Sequence, residues 1–294
     1  MECVPNISEG RDDSVVERIA EAGAGAGCRI LDIHSDPDHD RSVVTMVGDR
    51  TAILNGAVAL AERATALIDL REGWGVHPCI GAVDVIPFVP LTGIAMSDCA
   101  NVARNAGRAI AERLALPVYL YGAAQTSGRE NTLPRIRRRR FAELTITLRE
   151  IPPDYGPRKA HPTAGAVAVG AREPLVAYNV VLACSDVRVA RSIARVLRES
   201  NGGPPGVKAL GLKLHSRSLV QVSMNLTDIT ATTVPQAFEA VLREASARGV
   251  AVLESEIVGL LPRAALAGAT ATGLRMATDP RAKILEDVIE RSLR

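Results

Sequence analysis

The chain has 294 residues, which is enough to bury a substantial core as one large domain or two of ordinary size. Its 35 basic and 33 acidic residues give a formal net charge of +2, so no overall field attracts nucleic acid or an anionic membrane. Five scattered cysteines without a CxxC pair argue against a disulfide framework and a thiolate zinc site. No apolar run approaches the roughly 20 residues of a membrane span, and the N-terminal residues do not follow the pattern of a signal peptide. We therefore expect a soluble, cytoplasmic protein.

The first half of the chain alternates predicted strands and helices. Strands are predicted over 2–8, 29–35, 42–48 and 84–89, with helices after residue 11 and over 52–67. This βαββαβ order is typical of a ferredoxin-like unit, in which two helices cover one face of an antiparallel sheet. A further helix over 97–114 and a strand over 117–121 extend it.

The second half repeats this order without obvious sequence identity. Strands are predicted over 175–184, 207–215, 219–226 and 250–258, with helices over 187–198 and 235–248. The sequence thus predicts an α+β protein with two ferredoxin-like subdomains. A long irregular passage after residue 121 places the boundary near 165–175, and we divide the chain into residues 1–172 and 173–294. Terminal helices over 262–273 and 279–293 are expected to cover an edge or to meet a partner.

The segment 75–90 carries the first candidate for chemistry, because His77 stands in a Gly/Pro turn directly before an apolar strand. Pro78 restricts the backbone of His77, while Gly75 and Gly81 permit geometries that other residues resist. The unperturbed pKa of histidine, about 6.5, suits a general acid or base near neutral pH. A structural histidine within the turn is equally compatible with this stretch.

The polar loop 34–41 allows several interpretations. A calcium site is disfavoured because Arg41 and Val47 occupy positions that require glycine and glutamate. A zinc hydrolase signature lacks one histidine of the usual set. A loop that binds an organic ligand through side chains such as His39 and Asp40, and an ordinary solvated turn, both remain open.

Two further stretches are rich in cations. The segment 156–165 combines flexible glycines with Arg158, Lys159 and His161, which suits either an anionic ligand or an interdomain linker. The arginines at 137–140 lack the interleaved aromatic residues of a nucleic-acid site, so we expect a solvated basic face or a dock for a polyanionic tail. Neither a P-loop nor a GxGxxG turn follows a suitable strand, which disfavours ATP and dinucleotides.

Eight segments together resemble the formiminotransferase family, which moves the formimino group of N-formimino-L-glutamate to tetrahydrofolate in histidine degradation. They are 2–10, 39–43, 77–90, 117–122, 153–157, 170–172, 221–226 and 258–262. The resemblance implies a ligand channel between the two subdomains, a homodimer, and tetrahydrofolate as co-substrate with no metal. Animal relatives often carry a fused cyclodeaminase domain, so a separate cyclodeaminase is the expected partner for the second step.

The resemblance also assigns residues. The family's catalytic histidine falls on His77, and its folate-contacting loop falls on 156–165. The candidate substrate and folate contacts are Gly156, Pro157, Arg158, Lys159, His161, Pro162, Gly165, Arg172, Asn6, His39 and Asp40.

The chain departs from the family pattern beside this histidine. Relatives usually have Glu before and Arg after the His-Pro pair, where Val76 and Cys79 stand here. Asp40 replaces a frequent Asn, and the arginines at 137–140 replace a Gly/acidic stretch. Transfer from another amino acid such as glycine, a 5-formyltetrahydrofolate salvage reaction and a non-catalytic folate-binding protein are therefore alternatives.

Overall fold

The computed structural model describes residues 1–72, 75–76, 78–126, 128 and 132–293. It divides into two compact units, Met1–Arg172 and Glu173–Arg294, each with a hydrophobic core. Within these described ranges, none of the helices combines the length and the apolar character that crossing a membrane requires. Each unit mixes helices with a sheet that is wholly or partly antiparallel, which confirms the predicted α+β class.

The N-terminal unit begins with the predicted βαββαβ order and then extends it. Its elements are β1 (Glu2–Cys3), β2 (Asn6–Ile7), α1 (Asp13–Gly25), β3 (Arg29–Asp36), β4 (Arg41–Val47), α2 (Arg50–Leu67), β5 (Val83–Val89), α3 (Met96–Leu114), β6 (Val118–Gly122), α4 (Leu133–Ile136), α5 (Leu144–Glu150) and β7 (Val167–Ala171).

The short strands β1 and β2 together take the place of one interrupted strand inside the sheet. Each pairs antiparallel with β4 on one side and with β5 on the other. Strand β3 pairs with β4 at one end of the sheet. At the other end, β7 inserts between β5 and β6 in parallel pairing. The sheet therefore joins an antiparallel ferredoxin-like half to a parallel extension.

Helices cover both faces of this extension, which explains why all seven residues of β5 are buried. On one face, Ile86 and Phe88 pack in the core formed with α1, α2 and α3. On the other face, Val85 and Tyr119 pack against the apolar side chains of α4 and α5. The passage after β6, predicted to be irregular, thus folds back over the sheet.

The C-terminal unit repeats the order with β8 (Val176–Leu182), α6 (Val187–Leu197), β9 (Val207–Leu214), β10 (Leu219–Leu226), α7 (Val234–Ser246) and β11 (Val252–Val258). Its antiparallel sheet has the order β11-β8-β10-β9. Three short helices follow, α8 (Arg263–Leu266), α9 (Ala271–Leu274) and α10 (Leu285–Leu293). The single helix predicted over 262–273 is wrong, because Ala267 and Gly268 adopt left-handed backbone conformations that end α8.

Two glycines allow a close approach of the backbone segments that lead into β5 and β7, which we call the glycine crossing. Gly81 and Gly165 form an isolated antiparallel bridge. Gly165 has φ +69°, and a Cβ there would lie 2.1 Å from the Ile80 carbonyl oxygen. Both the backbone conformation and the space therefore require glycine at this position.

We expect Gly165→Ala to lower the free energy of unfolding by about 2 to 5 kcal/mol, since left-handed strain adds to a backbone clash. Gly93→Ala is the matched control, because Gly93 also has positive φ but no atom lies within 4 Å of its added Cβ. The control should lose only about 1 kcal/mol. Urea denaturation of both variants measures the difference, and equal losses would contradict the assigned crossing.

Candidate functional site

The turn between β3 and β4 is held by its own aspartate. One Asp36 carboxylate oxygen accepts hydrogen bonds from the backbone N–H groups of Asp38 and His39, both at 2.9 Å. The His39 side chain is buried, with Nδ1 3.7 Å from the second Asp36 oxygen. The predicted polar loop is therefore an ordered Asx turn, and the buried His39 ring lies beside the same aspartate.

This turn contacts the two residues that precede position 77. We call Gly75, Val76, Pro78 and Cys79 the flanking residues. The backbone N–H of Val76 donates to the Asp38 carbonyl at 3.3 Å. A Cβ on Gly75 would lie 2.1 Å from the His39 carbonyl oxygen, so only glycine permits this approach. His77 itself lies outside the described residues, and its catalytic role stays a prediction.

Asp40 and Asn6 make local contacts within the same unit. Asp40 adopts a left-handed backbone, and its carboxylate accepts a hydrogen bond from the Gly10 backbone at 3.3 Å. The buried Asn6 amide donates to the Val4 carbonyl at 2.8 Å. These bonds support the backbone before α1, and ligand contacts by either side chain stay predictions.

A buried carboxylate lies beneath the flanking residues. One Asp84 oxygen accepts from the Ile80 backbone at 2.9 Å, and the other lies 2.7 Å from Nη2 of Arg137. The Asp84 and Arg137 side chains are only 2% and 14% exposed. The same Nη2 donates to the Pro78 carbonyl at 2.7 Å. Arg137 thus connects the start of β5 with the turn before it.

The other arginines of the run take different positions. Arg140 donates to the carbonyls of Gly75 and Val76 at 3.3 and 2.9 Å. Arg139 pairs with Glu150, while Arg138 is exposed. The prediction of a solvated basic face or polyanion dock is therefore wrong for Arg137, whose guanidinium is enclosed within the unit. Arg140 is exposed, and its guanidinium also donates to backbone carbonyls.

Cys79 is a thiol packed against the core, and burial is the main influence on its pKa. Burial, followed by the nearby Asp84 carboxylate, raises the pKa of Cys79, although Arg137 and Arg41 act in the opposite direction. Burial, and after it the neighbouring Arg137 guanidinium, lowers the pKa of Arg41 to about 10. Arg41 therefore stays cationic at neutral pH, and Cys79 does not supply a thiolate nucleophile.

The segment 156–165 lies within the N-terminal unit, between α5 and β7, so the linker interpretation is wrong. Gly156 has φ +81°, and its added Cβ would lie 2.2 Å from the Leu116 carbonyl oxygen. The chain is exposed from this glycine onward, over Gly156, Pro157, Arg158 and Lys159. It is an anchored loop that presents two cations to solvent.

The second half of this loop is a compact turn. The backbones of His161 and Gly165 exchange hydrogen bonds of 2.9 and 3.1 Å across the exposed Pro162. The His161 Nδ1 atom accepts from the Ala164 backbone at 3.0 Å. A neutral His161 ring accordingly carries its proton on Nε2.

Arg172 ends the N-terminal unit beside a buried tyrosine. Its backbone N–H donates to the Phe88 carbonyl at 3.1 Å. Burial raises the pKa of Tyr121 to about 12, and the nearby Arg172 guanidinium acts against that rise. The structure therefore places Arg172 against Tyr121, and its contact with a substrate carboxylate stays a prediction.

Sequence reasoning missed a polar cluster in the C-terminal unit. Asn179 and Gln221 are each 2% exposed, and their amides donate to one Glu256 carboxylate oxygen at 2.9 and 3.4 Å. Strand alternation places all three on the sheet face opposite α6 and α7, since their neighbours Tyr178, Val180, Val220 and Val222 belong to the core. Single polar residues within otherwise apolar strands were the available signal.

The described ranges contain no group of three His, Cys, Asp or Glu side chains arranged to hold a metal ion. The aspartates of the β3–β4 turn instead accept hydrogen bonds from backbone N–H groups.

We expect Asp84→Asn to lower the free energy of unfolding by about 3 kcal/mol, because it leaves the enclosed Arg137 guanidinium without its anion. Asp98→Asn is the control, since Asp98 pairs with Arg50 at the surface and the change should cost less than about 1 kcal/mol. Chemical denaturation compares the two. Similar small losses would show that the Asp84 pair contributes little to the fold.

Comparisons with known proteins agree with the resemblance read from the sequence. The formiminotransferase domain, N-terminal subdomain, matches residues 1–172, and the formiminotransferase domain matches residues 177–282. Glutamate formimidoyltransferase of Streptococcus pyogenes serotype M1 is 40% identical over 269 residues, covering 90% of each chain. The same enzyme of Thermoplasma acidophilum is 40% identical over 297 residues, covering 99% of this chain and 98% of the relative.

A longer relative matches in part. Formimidoyltransferase-cyclodeaminase of Sus scrofa is 41% identical over 281 residues, covering 92% of this chain and 52% of the relative. The chain thus spans about half the length of that protein. Since the two domain matches together account for most of the sequence, the chain belongs to the formiminotransferase family.

Proposed function

We propose that this protein is a glutamate formimidoyltransferase, which transfers the formimino group of N-formimino-L-glutamate to tetrahydrofolate and yields 5-formiminotetrahydrofolate and glutamate. The observation that carries the proposal is the similarity to two glutamate formimidoyltransferases along nearly the whole of both chains. The protein is accordingly a transferase whose partners are small molecules. The homodimer, the ligand channel, the cytoplasmic location and a separate cyclodeaminase stay predictions.

The reaction requires a proton to move between two nitrogens. N5 of tetrahydrofolate adds to the formimino carbon, and the resulting tetrahedral intermediate breaks its bond to the glutamate nitrogen. A base must take the proton from N5, and an acid must return one to the departing nitrogen. We assign both steps to His77, since a positioned acid–base group typically contributes about 10²- to 10⁴-fold.

The contacts made by the flanking residues support this assignment. The flanking residues contact the β3–β4 turn through Val76 and the Arg137 guanidinium through Pro78. The residues on both sides of this position are thus bonded within the unit, which favours the proximity that group transfer needs. His39 and Asp40 lie on the adjoining turn and remain candidate substrate contacts.

The loop 156–165 supplies the candidate folate contacts. Arg158 and Lys159 are exposed cations on an anchored loop, and a folate tail carries carboxylates. A guanidinium suits bidentate pairing with a carboxylate, while an ammonium acts as a point charge. Gly156, Pro157, His161, Pro162 and Gly165 shape the loop, and Arg172 and Asn6 remain further candidates.

We expect His77→Ala to lower kcat by about 10²- to 10⁴-fold while tetrahydrofolate binding, measured by calorimetry, changes less than about twofold. The assay follows 5-formiminotetrahydrofolate formed from N-formimino-L-glutamate. His215→Ala is the control, because His215 is an exposed histidine after β9. If the wild type binds folate but uses only another formimino amino acid, the proposed donor is wrong. If His77→Ala keeps full activity, the acid–base role assigned to His77 is wrong.

We expect Arg158→Met and Lys159→Met each to raise the KM for tetrahydrofolate about three- to tenfold with little change in kcat, because they act on binding rather than on the reacting atoms. The increase should shrink as salt rises, since the lost interaction is between exposed charges. Lys208→Met, which changes an exposed cation on β9, is the control. An unchanged KM in both variants would remove this loop from folate binding.

A further inference from the structure

One short stretch of chain binds the backbone on both sides of position 77. Arg140 donates to the carbonyls of Gly75 and Val76, at 3.3 and 2.9 Å. Arg137 donates to the Pro78 carbonyl at 2.7 Å. The Phe141 backbone N–H donates to the Cys79 carbonyl at 3.1 Å. All four flanking residues therefore have their carbonyls fixed by residues 137–141.

The bonds of Arg140 depend on the planar guanidinium group of arginine. The two Nη atoms of Arg140 reach two successive carbonyls, which a planar fork of donors can do and a single ammonium cannot do in the same fixed arrangement. One Nη atom of Arg137 donates to the Pro78 carbonyl and also forms the ion pair with the Asp84 carboxylate, at 2.7 Å. Both arginines contact groups before β5, although they are about 60 residues away in sequence, with separations of 59 for Arg137 and 64 to 65 for Arg140.

The neighbouring arginines show that this is not a general property of the basic run. Arg138 is exposed, and Arg139 pairs with Glu150 of α5. The two arginines that bind the flanking residues are three positions apart in the segment between α4 and α5. The run is thus divided between residues that bind the flanking residues and residues that do not take part.

We propose that Arg137 and Arg140 are positioning residues, which fix the peptide carbonyls of the flanking residues and on which the rate of the proton transfer assigned to position 77 depends. This inference rests on the proposed function, because it assigns to His77 the acid–base role. Small displacements of a reacting group can lower a rate about 10²-fold, so a loosened backbone at this position should act on kcat. The arginines bind backbone, so substrate affinity should change little.

Arg140 offers the sharper test. Its side chain is exposed, whereas replacement of Arg137 leaves the buried Asp84 carboxylate without its cation and endangers folding. We expect Arg140→Met to lower kcat about ten- to a hundredfold, with both KM values within about threefold of wild type. Arg140→Lys should restore part of the rate, because one donor nitrogen remains where arginine has two Nη atoms. Arg138→Met is the matched control and should behave as wild type.

Hydrogen exchange gives a readout that does not depend on activity. Peptides covering 75–82 should exchange faster in Arg140→Met than in wild type and Arg138→Met, while peptides from the C-terminal unit stay unchanged. Arg137→Lys keeps the charge beside Asp84. If it folds with an unaltered melting temperature, it should show the same faster exchange of peptides 75–82 as Arg140→Met. Faster local exchange together with a loss of kcat supports the proposal.

Every other combination overturns part of it at a distinguishable point. Unchanged kcat in Arg140→Met, with an active wild type, shows that the arginine does not position the catalytic group. A loss of kcat without faster exchange shows that Arg140 acts in another way. An inactive wild type contradicts the proposed function instead, and the exchange data then decide alone whether the arginines hold the flanking residues.

Discussion

The buried Asp84 carboxylate is the constraint on which the polar part of the N-terminal unit depends. It stands at the second position of β5, so the sheet fixes its place. A carboxylate that is 2% exposed must be compensated, and it finds the Ile80 N–H on one side and the Arg137 guanidinium on the other. The need to satisfy one charge therefore fixes both the turn before β5 and the chain after α4.

The parallel extension of the sheet makes this arrangement possible. In the antiparallel half, β5 would have only one partner, β1 and β2 together, and one covered face. Addition of β7 and β6 places β5 inside the sheet, and α4 and α5 cover its second face. That cover carries residues 137–141 to the flanking residues, and the β3–β4 turn contacts two of them, Gly75 and Val76. Elements distant in sequence thus converge on position 77.

The element order could be predicted from the sequence because amphipathic spacing is local. Strand β7 could not be predicted in this way, because all five of its residues are buried. It therefore lacks the alternation of apolar and polar residues that marks a half-exposed strand. The role of Arg137 was also beyond local reasoning. A run of arginines ordinarily indicates solvated charge, and its carboxylate partner lies in a different element of the sheet. The candidate ligand loop was found only through the family resemblance, since its composition equally suits a linker.

The structure gives the departure at Cys79 a physical meaning. The resemblance leads us to expect an arginine at this position, and its replacement by a neutral thiol removes a cation beside the His-Pro pair. Yet Arg41 and Arg137 both act on the Cys79 thiol electrostatically, and Arg137 bonds to the adjacent Pro78 carbonyl. Positive charge is thus retained next to position 79, balanced in part by Asp84. The guanidinium groups that act on position 79 therefore come from Arg41 on β4 and from Arg137 after α4, while the residue at this position is itself a thiol.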